Sequence, residues 1–189
     1  MDIDNLENKH PLPEIVDTQP LVDTQVFHIE AVDLKFSNGA LRRFERFVYW
    51  PEGVVMVVPM LNEDTVLLIR EYCVGVHAYH LTLPKGKADK QETPLVAANR
   101  ELQEEVGYAA NKLTMLRSLT NSPSYSSTQM HIVLAQDLYP SVLLGDEPEP
   151  IEVIPWPIAK IPELILRPDF NEGRAIAALY LAQLYLNKL

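Results

Sequence analysis

Residues 86–108 read GKADKQETPLVAANRELQEEVGY, and the fold turns on how that run is understood. Thr93 followed by Pro94 predicts a helix start: a side-chain oxygen caps the first amides, and the proline ring fits the first turn without a donor. Gly107 predicts the stop. Between them Leu95, Leu102 and Val106 share one stripe, with Ala98 at its edge, so that face is expected against a sheet. Glu101, Glu104 and Glu105 stand at i, i+3 and i+4, which brings their carboxylates onto an adjacent face. Like charges at that spacing repel by roughly 0.2–0.5 kcal/mol per pair. The negative end of the helix dipole disfavours each by roughly a further 0.3–1 kcal/mol. Arg100, one turn before Glu104, offsets only part of this. Two readings remain: a charged face turned to solvent, or oxygen ligands gathered for a hard divalent cation such as Mg2+, whose charge reverses the repulsion. The clash with the dipole weakens the solvent reading, and both readings stay open on the residues alone.

Outward from the helix the pattern is mostly of strands. VFHIEAVDLKF (26–36) and ALRRFERFVYW (40–50) flank Ser37-Asn38-Gly39, a strong hairpin signal. GVVMVVPML (53–61) and TVLLIREY (65–72) flank the polar turn Asn62-Glu63-Asp64. HAYHLTLP (77–84) is a further strand, closed by Pro84. After the helix, LTMLRSLT (113–120) and QMHIVLAQDL (129–138) read as strands around the loop Asn121-Ser122-Pro123-Ser124. LLGDEPEP (143–150) is an acidic loop broken by prolines, and IEVIPWPI (151–158) a short strand. A short helix is expected over 161–166 and a last one over about 171–188. Residues 1–20, rich in acid and proline, read as an extended or loosely docked arm. Strands interrupted by two good helices predict an α/β fold, a mixed sheet flanked by helices.

The 189 residues suffice for one full core with an extra arm. A net charge of −10 argues against a nucleic-acid or anionic-membrane surface. The apolar runs are too short for a membrane span. The first twenty residues lack the basic start and apolar stretch of a signal peptide. Cys73 is the only cysteine, so no intrachain disulfide forms and a cytoplasmic location fits. Its simplest role is that of a small buried apolar residue. His28, His77 and His131 lack zinc-site spacing and read as structural.

Gly86, five residues, Glu92, seven residues, then Arg100-Glu101-Leu102-Gln103-Glu104-Glu105-Val106-Gly107-Tyr108 resembles the Nudix box. Every charged and glycine position of that motif is matched; Tyr108 takes the last slot, usually aliphatic. With Arg70-Glu71-Tyr72, Tyr79-His80-Leu81, Ser122-Pro123-Ser124-Tyr125 and GDEPEP (145–150), the chain is similar to the ADP-compound hydrolases of the ADP-ribose pyrophosphatase branch, from about Val26 to the last helix. The resemblance implies a Nudix α/β/α sandwich with a mixed β-sheet over 51–189. It also implies an N-terminal β-hairpin region over 1–50, used for homodimerisation and adenine recognition. It implies a Mg2+ enzyme, with Mn2+ as a substitute, that splits the pyrophosphate of a small nucleotide substrate. Carried onto this chain, Glu101 and Glu105 are the principal metal ligands. Glu104 assists, the Lys85 carbonyl and Glu149 complete the set, and Glu147 is the general base with Glu104 in reserve. Gly86, Glu92, Arg100 and Gly107 shape the motif. Arg46, Arg70, Phe27 and Tyr125 are the candidate substrate contacts. Cys73 and His80 stand where many relatives carry arginine and an acid, which changes the pocket's charge pattern and leaves the preferred ADP compound open.

Two rival functions fit the same fold. A cleaner of nucleoside triphosphates would need no N-terminal dimer region. A ligand-sensing regulator would ordinarily have lost box glutamates or gained a basic helix, and this chain shows neither change.

Overall fold

The computed structural model describes residues 10–48 and 53–187. Residues 1–9 of the expected arm, Tyr49 and Trp50 of the second hairpin strand, the expected boundary at 50/51 and Lys188 lie outside them. The chain divides into two compact units: Met1–Trp50 with Ser122–Thr128, and Pro51–Asn121 with Gln129–Leu189.

The first unit holds β1 (Glu14–Asp23), β2 (His28–Lys35) and β3 (Leu41–Phe47) in one antiparallel sheet of that order. β2 and β3 form the expected hairpin, with Ile29 opposite Phe47 and Lys35 opposite Leu41. The described part of the arm is extended, the first of the two forms expected, and it is regular from Glu14 on. Glu14–Asp23 is a strand, paired with β2 from Glu14–Lys35 to Asp23–His28. Its residues are all exposed, so no inside–outside alternation announced it. Its order comes from backbone pairing with β2 instead.

The second unit holds β4 (Val54–Asn62), β5 (Thr65–Cys73), β6 (Ala78–Thr82), β7 (Lys85–Lys87), α1 (Pro94–Glu105), β8 (Tyr108–Thr120), β9 (Gln129–Pro140), β10 (Glu152–Pro157), α2 (Ile161–Ile165) and α3 (Gly173–Tyr185). The sheet runs β10-β5-β4-β9-β8, with β6 paired to β5 and β7 to β4. β4 and β9 are parallel and the other pairs antiparallel, so the sheet is mixed as expected. Pro155 and Pro157 are tolerated because β10 is an edge strand.

Each face of this sheet carries its own apolar layer. On one face Met56, Leu68, Ile132 and Leu134 meet Leu164, Phe170, Ala178 and Leu179 from the α2–α3 side. On the other Val55, Val57, Leu67 and Val133 meet Ala97, Ala98 and Leu102 of α1. Helices on both faces of a sheet make an α/β/α sandwich. The stripe on α1 differs from the reading above. Leu95 is exposed, and the buried positions are Ala97, Ala98, Glu101, Leu102 and Glu105. Two alanines on the inward face replace one leucine, and two of the three glutamates turn inward with it. Tyr108 packs half-buried against the same layer.

Candidate active site

Three local features set α1 over the strands. Val96 N–H donates to Thr93 Oγ1 (3.4 Å), Pro94 opens the first turn, and Gly107 leaves the last one at φ +77°. β7, only three residues long, pairs Gly86 with Val55 and runs beneath the helix. A Cβ on Gly86 would fall within the Glu101 carboxylate, so only glycine lets that side chain lie against the strand.

Arg100 organises the acids. Its Nη1 donates to Glu101 Oε1 (2.7 Å) and to Glu104 Oε2 (2.8 Å). Its Nε and Nη2 grip both oxygens of Glu92 (3.1 and 3.0 Å), and Nη2 also reaches the Lys87 carbonyl (2.9 Å). Glu92 accepts from the Asp89 amide as well (2.9 Å), so the 86–92 loop is fixed to the helix. The Arg100 hydrogen bonds hold the Glu92 carboxyl below its ordinary range.

Glu101 and Glu105 are only 8% and 6% exposed. Glu105 accepts the Lys85 amide (2.8 Å), while the Lys85 ammonium pairs with Glu71 and lies 4.0 Å from Glu172. Burial pushes the Glu101 carboxyl up to about 7; Arg100 opposes this, while Glu104 and Glu147 add to it. Burial likewise pushes Glu105 up to about 9 against the Lys85 amide and ammonium, with Glu101 and Glu71 adding to the rise. The protein's own cations therefore under-compensate these acids. Buried carboxylate oxygens, cradled by a glycine and short of positive charge, fit a hard divalent cation. Among the described residues no three His, Cys, Asp or Glu side chains stand as a closed metal cage. The box oxygens are instead turned to Arg100 and to the Lys85 amide.

Glu147 and Glu149 lie on the irregular segment before β10, both exposed. With Arg70, Glu71, Tyr72 and Tyr79 they line a cavity of about 430 Å3. Glu149 accepts the Tyr79 hydroxyl, and that bond raises the phenol's pKa. Arg70 is engaged by Glu152 (2.9 Å) and Asp169 (3.2 Å), so its guanidinium meets the cavity already paired. The Arg167 hydrogen bonds hold Asp169 down to about 2. In the first unit, Arg46 pairs with Glu30 (2.6 Å) and lines a cavity of about 420 Å3 with Tyr125, Val32 and Phe44. Phe27 is half-exposed, its ring 6.2 Å from that of Phe47.

The match to known families falls on the same residues. The NUDIX domain model covers residues 51–175. The chain belongs to the Nudix family. A second model, the NudE-type Nudix hydrolase N-terminal domain, matches residues 13–46. This Nudix chain is 47% identical over 174 residues to the ADP compounds hydrolase NudE of Escherichia coli strain K12, covering 92% of this chain and 93% of that one. It is 27% identical to the ADP-ribose pyrophosphatase of Bacillus subtilis strain 168, covering 85% and 86%. A crystal structure of an ADP compounds hydrolase superposes with a TM-score of 0.90 at 44% identity, covering 97% of this chain and all of that one. Among the described residues, no helix is long and apolar enough to cross a membrane.

Four residues near the candidate site take no role of their own from the sequence. Glu71 ends an apolar run and faces Lys85 only through the fold. Tyr79 sits opposite Tyr72 across β5 and β6. Gln103 and Ser141 meet across 38 positions of sequence (2.8 Å). Sequence alone marks Glu71 and Tyr79 only within the runs Arg70-Glu71-Tyr72 and Tyr79-His80-Leu81, and nothing local marks the partners of any of the four.

Proposed function

We propose that this Nudix protein hydrolyses the pyrophosphate bond of ADP-linked compounds such as ADP-ribose, NADH or diadenosine polyphosphates, releasing AMP, with Mg2+ as the cofactor and Mn2+ as a substitute. The observation that carries this is the pair of buried, charge-starved carboxylates Glu101 and Glu105, on a helix beside the cavity that Glu147 lines. The 47% identity to an ADP compounds hydrolase over nearly the whole chain supports the substrate class.

Glu101, Glu105, Glu104 and Glu149, with the Lys85 carbonyl, would hold the cation. When bound, such an ion neutralises phosphate charge and makes a nearby water more acidic. Glu147 accepts the proton of the attacking water as its oxygen bonds to phosphorus and the P–O–P bond breaks, leaving AMP and the other phosphorylated half. Glu104 is the reserve base. Glu92, Arg100, Gly86 and Gly107 keep the loop and helix in register. Arg70 contributes its remaining donor edge to a phosphate. Arg46, Tyr125 and Phe27 offer charge and stacking surface to adenine.

The N-terminal region, over 1–50, serves as a dimer face. β1 leaves Ile15, Val16, Leu21 and Val22 between 42% and 56% exposed, and a second copy of this chain would cover them. The single, half-buried Cys73 suits a reducing cytoplasm. The test is a panel of ADP compounds incubated with and without Mg2+, with AMP measured by chromatography. AMP that depends on Mg2+ is expected from at least one member; none from any member overturns the reading.

A further inference from the structure

Residues 141–150 carry Glu147 and Glu149 yet form neither strand nor helix. A hydrogen-bond ladder therefore does not hold Glu147 near the carboxylates of α1. Anchors at two places do: at one end a side chain reinforces two isolated backbone bonds, and at the other a side chain acts alone.

The first is Gln103, at the one box position between Arg100 and Glu105 that the motif leaves open, so box chemistry does not account for it. Its Nε2 donates to the Asn99 carbonyl (2.8 Å), which turns Oε1 toward the segment, where it accepts from Ser141 Oγ (2.8 Å). The Gln103 carbonyl accepts the Leu143 amide (3.3 Å), and the Gly107 carbonyl accepts the Ser141 amide (3.0 Å). The chain is thus laid along the last turn of α1. Two residues on, Gly145 stands beside the helix: a Cβ there would be in ordinary contact with the Glu104 carbonyl (3.7 Å) and 2.5 Å from Glu147 Oε2, the far end of a side chain of the same segment.

The second place is Tyr79 on β6, whose hydroxyl donates to Glu149. That anchor is itself braced. The Tyr79 ring stands edge-on to Tyr72, centroids 5.6 Å apart, and the Tyr72 hydroxyl hydrogen-bonds His77 Nδ1 (2.6 Å). Glu147 lies between the two anchors, close enough for its charge to act on Glu101.

We propose that Gln103 and Tyr79 are positioning residues for the hydrolysis: they tether residues 141–150 at both ends, so that Glu147 is presented to the carboxylate face of α1. This rests on the reading of Glu147 as the base. Each acts through the segment: the Gln103 amide is taken up by Asn99 and Ser141, and the Tyr79 hydroxyl, although Tyr79 lines the cavity, is taken up by Glu149. A carboxylate has two oxygens, so the Tyr79 bond is compatible with a ligand role for Glu149.

The test compares Gln103→Leu and Tyr79→Phe, which keep bulk and remove the polar anchor, in the intact chain and again in a Glu147→Gln background. With ADP-ribose and saturating Mg2+, each single substitution is expected to lower kcat about tenfold, because displacement of a catalytic group by an ångström has effects of that size or larger. KM is expected to change by less than about twofold, since ground-state binding is untouched. Amide hydrogen exchange, measured without Mg2+ or nucleotide, should quicken over 141–150 and nowhere else. In the Glu147→Gln background neither substitution should lower kcat further. Unchanged kcat and unchanged exchange in both variants, with Glu147→Gln inactive, would overturn the tether alone. An equal fold-loss in both backgrounds would overturn it too, because the side chains would then serve general structure. If Glu147→Gln by itself keeps full activity, the base assignment fails and the tether with it.

Discussion

Glu105 lies between α1 and the sheet with one backbone amide and one nearby ammonium for company. In the absence of a cation its proton is the alternative source of compensation, and that fixes how stability must vary with pH. The folded-state pKa is raised, to about 9 for Glu105 and about 7 for Glu101, above an ordinary value of 4.5. Above pH 4.5 the unfolded chain releases these protons while the folded one keeps them, so the folded state binds more protons. Stability therefore falls as pH rises, through about 7 for Glu101 and about 9 for Glu105. In chelator, the free energy of unfolding should drop by at least about 2 kcal/mol between pH 5 and pH 8, at about 1.4 kcal/mol per unit for each retained proton. Urea melts across that range check it, and a flat or rising profile contradicts it. Glu92 and Asp169 are shifted the other way and act only near and below their ordinary range, outside this window. On the function proposed above, the same charge that weakens the metal-free fold is the one catalysis would use. Glu105→Gln should lower turnover by roughly 100-fold or more, the scale for losing a preorganised electrostatic partner. It should at the same time leave the metal-free protein at pH 8 no less stable than its parent. Turnover and chelator melts on one preparation separate the two effects; near-normal turnover would remove Glu105 from the ligand set.

At the scale of elements, β7 and α1 work as one piece. The strand passes under the helix, Arg100 ties the loop between them, and Gly86 leaves the space that the Glu101 carboxylate fills. Gly86→Ala should displace that carboxylate, because Arg100 and burial leave it little room to yield. A loss of turnover of about tenfold or more is expected, with a modest change in melting temperature, since the added methyl strikes the far end of a side chain rather than backbone. Unaltered activity would mean that Glu101 does not need this seat. Much of this piece was legible beforehand because its signals are local. A cap, a proline, a glycine and a run of acids at helical spacing all lie within 23 residues. The face of α1 was read less well: hydrophobicity alone favoured Leu95, whereas alanines allow close packing and carry the glutamates inward. Gln103, Ser141 and Tyr79 were not legible, since their partners are set by where residues 141–150 return to the helix, and no pattern in either stretch encodes that.

At the scale of the molecule, the parallel join of β4 and β9 places strands far apart in sequence side by side and lets α1 and α3 cover opposite faces. Periodicity announced the strands and the class of sheet, but not their order, because order depends on long-range pairing. β1 was hidden for a different reason. A strand buried on neither face shows no alternation, and its ten residues are exposed throughout. That exposure is itself informative. Across β1, β2 and β3, Ile15 pairs with Leu34 and Val32 with Phe44, so these four share one apolar face. Ile15 remains 56% exposed and Phe44 48%. Residues 123–127 of the same unit line a cavity with Val32, Leu34 and Phe44, while Ile15, on the edge strand β1, lies outside that lining. Apolar surface of this kind on an edge strand invites pairing with another chain. If a second copy covers it, the protein should run as a homodimer in size-exclusion chromatography with light scattering. Ile15→Asp should shift it to monomer by placing a charge in a dry interface, while the fold of the Nudix unit and its Mg2+-dependent melting persist. A dimer that survives Ile15→Asp unchanged would move the interface away from β1. A parent chain that is monomeric at micromolar concentration would rule out the pairing altogether.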